Sequence, residues 1–199
     1  MTRKTTTFQR SNNGLDWHAD AEGETATALN LLFVGATIAN FEYWSEFVLR
    51  IQREDSHRTD AIRKVWGDVR VPPLFCLRLR NAWWVGDQLQ WEETVEQFPI
   101  KPPVGMPKDT TLQSSVAVQM LGATILDLKV TESGHLDIAI SNGTKLHIEG
   151  RGGEWEESWI LELLADDPDR DSWSVVCDSD GIVYAKWPGA PGSRPGFGS

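Results

Sequence analysis

The apolar and polar positions of this chain fall into short runs that read mostly as strands. Residues 29–38 are apolar enough for a buried strand, and Phe41 to Ile51 alternates imperfectly, as a second strand does. The charged stretch 52–59 reads as a loop. Thr59 then supplies a capping side chain ahead of apolar positions at helical spacing, which predicts one short helix ending near Gly67. Leu74 to Arg80 predicts a strand, and Trp83 to Val95 a strand or strand pair that turns around Gly86-Asp87. Val116 to Val130 reads as a further strand with a bulge at Gly122.

The clearest local pattern lies between His135 and Glu149. His135 to Ile140 alternates with period two, and Lys145 to Glu149 alternates back. Asn142-Gly143 between them tolerates the positive φ angles of a tight type I′ turn, so the segment predicts a hairpin. Its apolar face is Leu136, Ile138, Ile140, Leu146 and Ile148. Trp159 to Leu164, Trp173 to Cys177 and Ile182 to Trp187 predict three more strands, with a turn at Asp178-Ser-Asp-Gly181.

The chain also echoes itself. Val34-Gly-Ala-Thr-Ile38, followed by apolar Phe41, Leu49 and Ile51, returns as Leu121-Gly-Ala-Thr-Ile125, followed by Leu128, Leu136 and Ile138. The offset predicts one β-unit used twice. Residues 99–111 hold four prolines, too many for a packed element, and read as a linker. The expected organisation is therefore a first β unit with a short helix over 15–98, a Pro-rich linker over 99–111 and a second β unit over 112–187. Residues 1–14 read as a frayed start and 188–199 as a disordered tail. The fold class is mainly β, or α+β: two related antiparallel β units with one short helix.

Charge narrows the range of partners. The formal net charge is −10, and residues 149–171 alone carry nine acids against two arginines. Such a balance repels a phosphate backbone and argues against nucleic acid, while it attracts a basic protein surface. No apolar run approaches the length of a membrane span, and no secretory leader pattern is present, so a cytoplasmic protein is expected. Cys76 and Cys177, the only two cysteines, show no metal or redox spacing and read as reduced thiols.

Ten tryptophans are several times an ordinary share, and most are expected in the core. Trp83 and Trp84 are adjacent, so in a strand they point to opposite faces and cannot both enter one core. In Glu154-Trp155-Glu156-Glu157-Ser158-Trp159 a strand places Trp155, Glu157 and Trp159 on one face, a carboxylate between two indoles. Trp83, Trp84, Glu154, Trp155, Glu156, Glu157, Trp159, Asp166 and Asp167 are the candidate binding residues.

Catalytic patterns are absent from the sequence. It has no Gly-rich phosphate loop, no Gly-X-Ser-X-Gly elbow and no helical His-Glu-X-X-His. His135 and His147 flank the hairpin and can approach across strands, but they bring no evident third ligand, so neither a metal nor another cofactor is expected. Glu156 and Glu157, with the aspartates at 166–171, could mimic the carboxylate pair of a glycosidase, a hydrolase pair that needs a defined separation across a cleft.

Leu121-Gly-X-X-Ile125, Leu136-X-Ile138, Asn142-Gly143, Leu146-X-Ile148 and Glu157-Ser-Trp159-X-Leu161 resemble a pattern in small uncharacterised bacterial β-rich domains of the kind suspected to act as immunity proteins in toxin loci. The resemblance covers residues 120–187 and implies a non-catalytic protein that neutralises a basic toxin. Beside it stand a small-ligand binder, with a nucleotide or sugar stacked on tryptophan, and a homodimer formed through an aromatic face.

Overall fold

Two helices end in the same way. Among the residues described by the structure, a computed structural model (18–19, 24–54, 59–66, 71–100, 108–164 and 173–186), α1 (Glu24–Phe33) runs into Gly35 and α4 (Lys108–Met120) into Gly122. Both glycines have positive φ, 94° and 76°, which glycine adopts without the clash a Cβ would bring. Each helix is followed by a strand, β2 (Thr37–Tyr43) and β6 (Ile125–Val130).

The two Gly-Ala-Thr-Ile copies lie against each other. Gly35 N–H donates to Ile125 O at 2.8 Å and Gly122 N–H to Ile38 O at 2.9 Å; Ile38 N–H donates to Ala123 O and Ile125 N–H to Ala36 O. These four bonds exchange when the copies are exchanged, so a local pseudo-two-fold axis passes by the Thr37–Thr124 bridge. The sequence echo is thus the contact at which the duplicated parts meet.

From this point both copies build alike. In the first, β2 pairs with β3 (Phe47–Gln52) and β3 with β4 (Leu74–Leu79); in the second, β6 pairs with β7 (Leu136–Ile140) and β7 with β8 (Lys145–Ile148), all antiparallel. Each first pair has a bulge at the same place, between Ile38 and Asn40 and between Ile125 and Asp127. The pairs Phe41–Leu49 and Leu128–Ile138 correspond, so Leu49 matches Ile138 rather than Leu136. The turn after β6 spans 131–135 and that after β2 only 44–46, which shifts the downstream match by two residues.

The last strand of each unit crosses over. β5 (Trp83–Val85), from the first half, pairs with β8; β9 (Glu157–Leu163), from the second half, pairs with β4. The sheets are therefore β1-β11-β10-β9-β4-β3-β2 and β5-β8-β7-β6, with β1 (His18–Ala19), β10 (Ser174–Asp178) and β11 (Val183–Lys186) extending the first. The chain is a β-rich α+β protein with two antiparallel sheets, and residues 99–111 do not separate one sheet from the other. A single apolar cluster spans both sheets, α1 and α4, including Phe33, Leu49, Leu77, Ile125, Ile138, Leu146 and Trp159.

Several segments differ from the sequence reading. Residues 29–33 belong to α1: Ala28, Leu29, Leu32 and Phe33 are buried, a helical spacing that a short apolar run conceals. Residues 116–120 close α4, and residues 88–97 form α3 (Gln88–Gln97), capped by Asp87, whose carboxylate accepts from Gln90 N–H at 3.1 Å. With α2 (Thr59–Trp66), the short helix expected from sequence, four helices are present among the described residues. The hairpin forms as expected, but Ile140 N–H bonds Thr144 O and Gly143 N–H bonds Ile140 O, so its loop has three residues instead of two. The segments 1–14 and 188–199 and most of 99–111 lie outside the described residues.

Candidate functional site

The outward positions of the two sheets correspond as closely as the inward ones. Leu79 pairs with Trp159 as Ile148 pairs with Trp83, and Arg78 pairs with Ile160 as His147 pairs with Trp84. Stepping along the strands, Val48 corresponds to Asp137 and Arg78 to His147. The same cross-strand square thus holds two different chemistries.

On the first sheet it is an ion-pair ladder. Glu46 accepts from Arg78 Nη1 at 2.5 Å and from Arg80 Nε at 2.6 Å. Arg78 Nε also donates to Glu162 at 2.6 Å, and Arg80 Nη1 to Glu157 at 2.8 Å. The five groups are joined by four charge-assisted hydrogen bonds. The neighbouring carboxylates hold the Arg78 guanidinium above its ordinary pKa, against the opposing effect of burial. Arg80 lies over the Trp155 ring, 5.6 Å from its centroid. Next to the ladder, Glu42, Trp44, Ser45, Val48, Arg50 and Cys76 help line an open groove of about 340 Å³.

This arrangement corrects part of the sequence reading. Trp159 is wholly buried, and its indole N–H donates to Gly134 O at 2.8 Å. The register shifts opposite Cys177 and Asp178, with Ser158 as the extra residue of β9. Glu157 therefore turns to the open face, where it meets Arg80, while Trp159 enters the core. Trp155, Glu157 and Trp159 thus do not share one face, and Glu157 is not held between two indoles. Trp83 is buried in the main core against Phe47, and Trp84 is buried in a second cluster with Trp91 and Leu112, so neither offers a free surface. Glu154, Trp155 and Glu156 are exposed, Trp155 at 48%. Asp166 and Asp167 lie outside the described residues. Trp44, which the sequence did not single out, is 82% exposed in the turn before β3.

On the second sheet the square holds His135, Asp137, His147 and Glu149. Asp137 Oδ1 is 2.6 Å from His147 Nδ1 and 3.2 Å from His135 Nε2, while His135 Nδ1 is 3.8 Å from Glu149 Oε2. Trp84 stacks on His147 with ring centroids 5.6 Å apart and planes at 14°, and it meets His135 at 5.5 Å. The sequence reading paired the histidines but missed Asp137. The signal was the period-two alternation itself, which sends 135 and 137 to one face with 147 directly across.

Both cysteines are free and buried. Burial, aided by the Asp178 charge, pushes the Cys177 thiol up to about 12, and burial likewise raises Cys76. Among the described residues no helix is long and apolar enough to cross a membrane.

No family model matches this chain, and neither a curated protein nor a solved structure matches it.

Proposed function

We propose that the protein is a non-catalytic, cytoplasmic binding protein of immunity type that docks a basic protein partner on the open side of its larger sheet. Trp155 carries this reading. It is a half-exposed indole held by Arg80, with exposed Glu154 and Glu156 on either side. Tryptophan and arginine dominate the energetics of protein interfaces, and acidic neighbours accelerate the approach of a basic partner. Trp44 stands beyond the same ladder, two residues from Glu46, and offers a second anchor. Trp159, being buried, supports the surface from beneath and takes no part in contact.

The test expresses the chain together with the polypeptide encoded next to its gene and measures complex formation by surface plasmon resonance. A complex whose association slows in Glu154→Lys/Glu156→Lys, and whose dissociation quickens in Trp155→Ala, supports the reading. A complex indifferent to all three changes overturns it. A second reading rests on the groove beside Trp44, whose volume suits a small ligand. A change in tryptophan fluorescence with a nucleotide or sugar, lost in Trp44→Phe, would favour that alternative.

A further inference from the structure

We propose that His135, Asp137 and His147 bind one divalent transition metal ion of the zinc class on the outer face of the second sheet, with Glu149 orienting His135. The site is separate from the docking surface proposed above and stands or falls without it.

The donor set selects the metal. Two imidazoles and one carboxylate suit zinc, cobalt or nickel, whereas calcium and magnesium call for oxygen donors. The three ligand atoms lie within 4.8 Å of one another. A tetrahedral ion at about 2.0–2.1 Å from each donor needs donors about 3.3 Å apart. The Asp137–His135 edge, at 3.2 Å, already meets this. The Asp137–His147 edge, at 2.6 Å, must open by about 0.7 Å, and because the same Oδ1 forms both edges the opening calls for a shift of the His147 ring.

The backbone holds the donors in place. Asp137 and His147 are direct cross-strand partners on β7 and β8, and His135 precedes Asp137 by two on the same face. Gly134 and Gly150 bring the ends of that face together: a Cβ on Gly150 would stand 2.3 Å from Gly134 C and 2.5 Å from His135 N. The histidine and glutamate beside these glycines are thereby neighbours. Glu149 Oε2 lies 3.8 Å from the His135 nitrogen that is turned away from Asp137, and a slightly closer approach would let the carboxylate fix the tautomer of a metal-bound imidazole. Trp84 closes one side with an apolar ring that limits how far either imidazole can swing.

The equivalent square on the first sheet makes the contrast. Arg78 and Arg80 there are already paired with the carboxylates of Glu46, Glu162 and Glu157 and need no added ion. On the second sheet arginine is replaced by histidine, whose neutral form offers a lone pair. Three protein donors leave a fourth position open to water.

The experiment uses the full chain without a histidine tag, stripped with a chelator and titrated with Co(II), followed by visible absorption and then by displacement with Zn(II). One equivalent giving the intense d–d bands of a tetrahedral ion, with a Tm that rises on adding zinc, supports the site. His135→Ala, Asp137→Ala and His147→Ala should each abolish the bands, and Glu149→Gln should weaken affinity by roughly 10–100-fold. A variant with both other histidines, His18 and His57, changed to Ala should bind as wild type. Circular dichroism identifies any variant that does not fold, and Glu149→Gln together with the His18/His57 control decides the matter if all three ligand variants fail. Weak octahedral binding only, binding that survives in a folded His147→Ala, or binding lost with His18 and His57 overturns the proposal.

Discussion

Trp83 and Trp159 occupy one position of the duplicated architecture, met once in each sheet. Trp83 pairs with Ile148 on β8, Trp159 pairs with Leu79 on β4, and both indoles lie in the main core. Each strand comes from the opposite half of the chain, so each tryptophan closes the sheet begun by the other half. Trp159→Ala should therefore cost about 3–5 kcal/mol, and Trp159→Phe, which keeps much of the volume but loses the bond to Gly134 O, distinctly less. Urea unfolding midpoints at constant slope would measure both.

The strand exchange makes the halves dependent on each other. Fragments 1–100 and 101–199, expressed apart, should each lack cooperative unfolding. Mixed after denaturation, they should recover a folded complex, because β4–β9 and β5–β8 are formed only between them. Circular dichroism and size-exclusion chromatography of the mixture would show this, and a fragment that unfolds cooperatively alone would contradict it.

Gly150 and Gly152 separate two roles of glycine. A Cβ at 150 would lie 2.3–2.5 Å from backbone atoms of 133–135, whereas at 152 it meets nothing within 4 Å. Gly150→Ala should destabilise by about 1–3 kcal/mol or more through overpacking against rigid main chain. Gly152→Ala should cost about 1 kcal/mol, from its positive φ alone. Thermal melts of the two variants would rank them.

Cys177 makes stability depend on alkaline pH. Its thiol rises from an ordinary value of 9.0 to about 12 on folding, because burial disfavours the thiolate. The folded chain therefore binds this proton more tightly than the unfolded chain does. The contribution is complete below pH 9 and is lost as pH climbs towards 12. Urea midpoints should fall over that range, and Cys177→Ala should flatten the fall while leaving the share due to Cys76, whose thiol is also raised.

Glu46 and Glu42 both pair with arginine, but in different settings. Glu46 is 12% exposed and serves both Arg78 and Arg80, while Glu42 is 34% exposed and serves Arg50. Glu46→Gln should destabilise by about 1–3 kcal/mol and Glu42→Gln by less than about 1 kcal/mol. Denaturation at low and high salt would measure both, with the smaller effect fading as salt rises.

The hairpin 135–149 was legible in the sequence because one face is strictly apolar, and period two leaves no other reading. The duplication was legible in Gly-Ala-Thr-Ile, although its downstream match was misaligned, since turn lengths do not show in a pattern of apolar positions. The last residues of α1 (29–33) and of α4 (116–120) read as strand because their apolar positions crowd together, and the helical spacing appears only once the core faces are known. The exposed side was harder. Nothing local marks Ser158 as an extra residue, yet that bulge decides that Glu157 meets Arg80 and Trp159 does not meet solvent. Asp137 escaped notice because its value lies in what stands across the ladder from it.

A single-copy ancestor of this architecture would assemble as a homodimer with exchanged strands and would have to show the same outer surface twice. Joining the copies in one chain removes that obligation. Arg78 and His147 show what that freedom allows: equivalent positions of the two sheets hold a guanidinium on one side of the molecule and an imidazole on the other.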